Sequence, residues 1–275
     1  MKRNLALLLF FCCSFQLFAS KVDTLLVYSE SMNKTIKNVV ITPNSYPEKG
    51  KLYSVVYLLH GAGGNHKAWL EKAPKIKDYA DVYNVILVCP DGHKTSWYFD
   101  SPKEKHMRYE TYVSKELIAE VDKAYNTKAN KENRAITGYS MGGHGALYLA
   151  FRHTDIFGIA ASMSGGVDVR GFPLQWELSL RLGKYAEHPD NWDKNMVINQ
   201  VHLLNGKNLK FLFDCGTGDF FYDANVRLHK KLLERRIPHD YIERPGGHTN
   251  KYWANSIKYH MVFFNDFFNN SNNKN

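Results

Sequence analysis

The sequence predicts a single α/β domain whose mostly parallel central sheet carries helices on both faces. Three observations carry that prediction. Short, β-branched apolar runs recur along the chain, nearly continuous rather than alternating, as strands buried on both faces read. Most of them are followed by a helical pattern, the alternation that builds parallel sheets. The 275 residues, 44% hydrophobic and 23% charged, contain no internal repeat and no Pro/Gly-rich linker, which suits one domain and excludes a disordered or disulfide-scaffold protein.

The chain opens on Lys2-Arg3, an apolar run from Leu5 to Phe18, and the small residues Ala19-Ser20. A basic head, a greasy stretch and a small-residue end predict a signal peptide over residues 1–20, and so an exported protein, periplasmic or secreted. The run is too short for a membrane span and is interrupted by Ser14 and Gln16, so no stable membrane insertion is expected. Phe11 precedes Cys12-Cys13 where small residues are usual, which argues against a lipoprotein anchor.

Residues 21–268 are expected to form the domain. Leu25–Tyr28 and Ile36–Thr42 flank a polar turn and read as an antiparallel pair. Val55–Leu59 is the first buried strand, followed by a helix over Lys67–Tyr79 that Pro74 should break. Val85–Val88 leads to a helix over Met107–Tyr125, and Arg134–Tyr139 to one over Met141–Arg152. Ile159–Met163, Phe211–Phe213 and Tyr241-Ile242 complete the strands, with helices over Ala224–Arg236 and Asn250–Phe268. Val167–Leu204 fits the alternation badly and reads as a small insertion over the carboxyl edge of the sheet, and residues 269–275 as a polar tail.

Ligands bind beyond the carboxyl ends of such strands. There the sequence places Gly138-Tyr139-Ser140-Met141-Gly142, a G-x-S-x-G run between a strand and a helix. A serine on so sharp a turn has a strained backbone, and glycines two residues away avoid its side chain while the hydroxyl is lifted above the sheet. A serine hydroxyl needs a base, and the base an orienting carboxylate. Behind this turn the acid and then the base follow in chain order. His248, after the last strand and between Gly247 and Thr249, is the candidate base, whereas His239 precedes that strand. Asp219, on the loop after Phe211–Phe213, is the preferred acid, with Asp214 and Asp223 as alternatives. The Met141 amide is one candidate oxyanion donor, and the loop His60-Gly61-Ala62-Gly63-Gly64 should supply the second. His60 and Gly61, with Trp97, Tyr98 and Asp100, are candidate substrate contacts. The aromatic pair reads equally as a wall for an acyl or sugar group and as an anchor packing its loop.

These residues resemble a known family. Leu58-Leu59-His60-Gly61, Ser96-Trp97-Tyr98 with Asp100, Glu116-Leu117-Ile118, Asn133-Arg134-Ala135-Ile136, Gly138 to Ala146, Asp214 to Asp219 and Gly246-Gly247-His248 are similar to the esterase D group of α/β-hydrolases. That group includes S-formylglutathione hydrolases, tributyrin esterases, acetylxylan and feruloyl esterases, and mycolyltransferases of the antigen 85 type. The resemblance spans roughly Leu25 to Phe264. It implies an α/β-hydrolase fold, Ser140 as nucleophile, Asp219 as acid, His248 as base, and an oxyanion hole from the Met141 and Ala62 amides. Tyr139 and Thr249-Asn250 depart from the family's usual residues without touching the triad.

The strand order of that fold puts three strands between those of Cys89 and Cys215, four spacings or about 19 Å at roughly 4.8 Å per strand, beyond the ~7 Å a disulfide spans. Two unpaired thiols are expected. No metal or organic cofactor is implied: there is no H-E-x-x-H and the histidines show no ligand spacing. The 36 basic and 27 acidic residues give +9, falling to +7 without Lys2 and Arg3, and no basic run or binding motif suggests nucleic acid. At most the charge favours acidic polysaccharides. The sequence thus predicts an exported serine esterase acting on small-molecule or polysaccharide esters, with acetyl or feruloyl groups on carbohydrate the natural choice. An acyltransferase would use the same triad, and a non-catalytic carbohydrate-binding protein could keep the fold. The oligomeric state is not legible.

Overall fold

The computed structural model describes residues 20–272. Its strands are β1 (Lys21–Ser29), β2 (Lys34–Thr42), β3 (Val55–Leu59), β4 (Ile86–Pro90), β5 (Arg134–Gly138), β6 (Ile159–Met163), β7 (Lys210–Gly216) and β8 (Asp240–Arg244). They form one eight-stranded sheet in the order β1-β2-β4-β3-β5-β6-β7-β8. β1 pairs antiparallel with β2, and β2 with β4; every other pairing is parallel. The opening pair is longer than its apolar residues suggest, because the ladder runs from Lys21 opposite Thr42 to Ser29 opposite Lys34.

Alternate residues of the central strands feed two cores. Val55, Tyr57 and Leu59 face one, Val56 and Leu58 the other, the two-residue period of a sheet covered on both sides. The second face is covered by α1 (Ala68–Lys72) and α2 (Ile76–Tyr83), which the break at Pro74 separates. The first is covered by α3 (Tyr109–Thr111), which runs through a π-helical turn at Tyr112–Glu116 into α4 (Leu117–Ala124), and by α5 (Met141–Arg152).

The insertion between β6 and β7 is ordered around α6 (Leu178–Leu182) and α7 (Pro189–Asn195). Val167, Val169, Leu178, Leu182 and Trp192 join the first core, and the Trp192 indole N–H donates to the Gly183 carbonyl at 2.9 Å. α8 (Tyr222–Glu234) packs Leu228 and Leu232 on that same face, and α9 (Asn250–Asn272) packs Ile257, Met261 and Phe264 on the other. α9 extends past the expected end at Phe268, whose own ring is still buried. The segment expected to be a signal peptide, with Cys12 and Cys13, lies outside the described residues except for Ser20, as do residues 273–275. Cys89 on β4 and Cys215 on β7 are buried, unpaired, and separated by β3, β5 and β6.

Candidate active site

Ser140 joins β5 to α5 with φ +57° and ψ −119°, a conformation that L residues adopt only when the surroundings impose it. The surroundings here are backbone. A Cβ on Gly138 would lie 2.4 Å from the Gly142 carbonyl oxygen, and one on Gly142 would lie 2.3 Å from that of Leu59. The G-x-S-x-G glycines therefore let β3, β5 and α5 approach closely enough to force the turn. His144, in the same run, is buried in neutral form, with burial lowering its pKa to about 4 despite an opposing backbone bond. Its Nδ1–H donates to the Gly166 carbonyl at 3.0 Å, pinning the start of the insertion to α5.

Above the turn, the Ser140 hydroxyl lies 2.8 Å from His248 Nε2. His248 Nδ1–H faces both carboxylate oxygens of Asp219, at 2.9 and 3.1 Å. That contact commits the proton to Nδ1 and leaves the Nε2 lone pair for the serine. The Asp219 side chain is wholly buried and also accepts the Phe221 backbone N–H at 2.8 Å. The two alternative acids are engaged elsewhere or not at all. Asp214 pairs with Arg244 beneath the site, and Asp223 is exposed on the first turn of α8.

The loop after β3 lies against the turn. A Cβ on Gly61 would sit 2.7 Å from the Tyr139 ring and 3.2 Å from Ser140 Cβ, so only glycine permits this contact. The Met141 amide is an N-terminal helix donor without an intrahelical partner, and neither it nor the Ala62 amide donates to an acceptor among the described residues. Two such N–H groups are what a tetrahedral oxyanion at Ser140 would require.

Of the other sequence candidates, His60 and Tyr98 bond within this loop, while Trp97 and Asp100 are engaged elsewhere. His60 is buried and neutral, its pKa lowered to about 4 chiefly by desolvation. Its Nδ1–H donates to the Gly61 carbonyl at 2.8 Å, while Nε2 accepts the Gly92 N–H at 2.9 Å. Tyr98 fills a slot between Gly92 and Gly145, and its hydroxyl bonds the His60 backbone at both N–H and C=O. Trp97 packs edge-on against His144 at 5.3 Å. Asp100 takes the Thr111 N–H at 3.0 Å and Arg108 at 2.9 Å. The aromatic pair is thus an anchor, and its left-handed residues, Trp97 (φ +56°) and Tyr98 (φ +58°), are strain that this packing sustains.

The aromatic wall is made by residues that sequence reasoning passed over. Phe220, half exposed, lies 4.2 Å from the His248 ring and is stacked by Trp176 from the insertion. Trp253 meets His248 edge-on at 4.9 Å and stacks on Tyr139 at 4.5 Å. The signal was present: Phe220-Phe221 directly follows Asp219, and Trp253 lies one turn beyond Thr249. Among the described residues no group of three or more His, Cys, Asp or Glu could hold a metal ion, and no helix is long and apolar enough to cross a membrane.

Comparison with known proteins places these residues in context. The model of the Esterase family matches residues 29–263. An esterase of Mycobacterium tuberculosis is 29% identical over 240 residues, 76% of this chain and 52% of the relative, so the chain spans about half that relative's length. An acetyl esterase of Caldicellulosiruptor saccharolyticus is 27% identical over 255 residues, covering 84% of this chain and 95% of that protein. Among solved structures, a ferulic acid esterase superposes with a TM-score of 0.77 at 27% identity, over 91% of this chain and 99% of its own.

Proposed function

The chain belongs to the Esterase family and has the α/β-hydrolase fold, and on that premise we propose that it is a serine esterase working through Ser140, His248 and Asp219. The observation that carries the proposal is the unbroken hydrogen-bonded chain from Asp219 through both nitrogens of His248 to the Ser140 hydroxyl.

The reaction follows from that chain. Ser140 Oγ attacks the ester carbonyl carbon while its proton passes to His248 Nε2. The negative charge that develops on the carbonyl oxygen is met by the Met141 and Ala62 amides. The intermediate collapses with cleavage of the ester C–O bond, and the departing alcohol oxygen takes the proton from His248. Water then attacks the acyl-enzyme with His248 again as base. The acid leaves and Ser140 recovers its proton. Asp219 holds the imidazolium in place.

Short acyl groups, or acetyl and feruloyl groups on carbohydrate, are the proposed substrates, in keeping with the acetyl esterase and ferulic acid esterase likenesses. A sugar hydroxyl in place of water would make the same acyl-enzyme an acyltransferase, which product analysis with an added sugar acceptor detects. The working domain is proposed to be residues 21–268, exported after removal of residues 1–20; the N-terminal residue of the secreted form tests this.

Ser140→Ala should abolish p-nitrophenyl acetate hydrolysis and fluorophosphonate labelling while leaving the circular dichroism spectrum unchanged. Asp219→Asn should lower kcat about a thousandfold or more, since it removes the acceptor that fixes the imidazole tautomer. Full activity in either variant would overturn the mechanism.

A further inference from the structure

Beside the candidate active site runs a groove of about 580 Å³ between the α1–α2 break and the start of α9. That is room for one or two units of a saccharide, within the usual range of ligand sites. Its lining includes Lys75, Tyr79, Gly246, Thr249, Lys251 and Lys258, and no aspartate or glutamate. Lys258 touches only the Asn255 side-chain oxygen, at 3.3 Å, and Lys75 and Lys251 are exposed without an ion pair among the described residues. Three lysines and no carboxylate thus line one concave surface.

The groove also lies on the right side of the chemistry. Gly246 and Thr249 belong to the loop that carries His248. Lys72, the neighbour of the lining residue Ala73, has Nζ 5.3 Å from the Tyr139 ring centre and 5.7 Å from that of Trp253, which meets His248 edge-on. A departing alcohol receives its proton from His248, whose loop borders the groove.

We propose that the groove binds the alcohol moiety of the ester and selects one that bears a carboxylate, as in a uronate-containing saccharide. The inference rests on the esterase reading and names the substrate class for it. Lysine suits such a role because its compact charge tolerates the variable geometry of a flexible acidic sugar, and Tyr79 offers a ring for the sugar face to pack on. Opposite charges across the cleft would also speed encounter at low salt.

The test separates binding from catalysis. Ser140→Ala protein is titrated calorimetrically with trigalacturonic acid and with neutral xylotriose, at low salt and in 0.3 M NaCl. The oligouronate should bind, more weakly in salt, and about fivefold more weakly in the Lys75→Met/Lys251→Met background, at the ordinary strength of exposed charge pairs. Xylotriose should show neither dependence. In the otherwise wild-type enzyme, the same lysine pair should lower the ratio of kcat/KM on acetylated oligouronate to that on acetylated xylo-oligosaccharide by a similar factor. Absence of oligouronate binding, or equal displacement by inorganic sulfate of matched ionic strength, would overturn the proposal. Loss of p-nitrophenyl acetate hydrolysis from the wild type would instead strike the esterase reading, so the two failures are distinguishable.

Discussion

Ser140 sits at φ +57° because the atoms around it leave no other arrangement. Such a residue costs on the order of 1–3 kcal/mol, sustained by the packing of β3, β5 and α5. Gly142→Ala tests this, since its new methyl would lie 2.3 Å from the Leu59 carbonyl oxygen and backbone cannot rotate away. We expect a loss of about 2 kcal/mol or more in thermal or urea unfolding and a fall in kcat on p-nitrophenyl acetate, because the displaced turn carries the hydroxyl with it. A variant as stable and active as the parent would show that the turn does not depend on that approach. This part of the site was legible in the sequence, since a strained nucleophile turn demands glycine at fixed offsets. The directions of His60 and Tyr98 are not legible in the sequence, for an equally physical reason. Their polar atoms are spent inward, on Gly61, Gly92 and the His60 backbone, and residue type alone gives no direction.

Among the elements, Glu110 on α3 is the tie to the end of α5. Burial alone would raise its pKa, but hydrogen bonds from His153 and Arg152 more than offset this and hold it at about 2. The contacts are 2.9 and 2.7 Å, and Tyr148 adds its hydroxyl at 3.0 Å. A carboxyl so depressed stabilises the fold above its ordinary pKa of 4.5, and that contribution disappears as pH falls towards 2. Urea midpoints measured across this window should therefore fall with acid in the wild type. Glu110→Gln should be less stable at neutral pH, by about 2 kcal/mol, and should lack this part of the acid slope; an unchanged slope would contradict the assignment. The helices outside the insertion were readable from period and from Pro74, whereas α6 and α7 were not. The π turn at Tyr112–Glu116 and the wall of Trp176 and Phe220 were not. The wall joins side chains far apart in sequence, and the π turn is bonded through Tyr112 and Glu116 to Asn38 and Ser29; local periodicity encodes neither.

For the molecule as a whole, the strand order was the decisive unknown, and it came from the family resemblance rather than from any single run of residues. It has a direct chemical readout. Cys89 and Cys215 lie on strands separated by three others, and burial pushes both thiols well above the usual range. Neither should react with iodoacetamide in the native protein, and both should react in urea, as peptide masses would show. A Cys89–Cys215 bridge would overturn the topology. The hydrogen-bonded pair at the heart of the site, Ser140 and His248, is separated by 108 positions in sequence, and the loop bearing His248 is set between β8 and α9. On the ribosome, then, Ser140 is made long before His248. With His248 as the proposed base, the hydroxyl stays an ordinary alcohol until the loop between β8 and α9 is in place. The onset of hydrolysis would then report the docking of that loop.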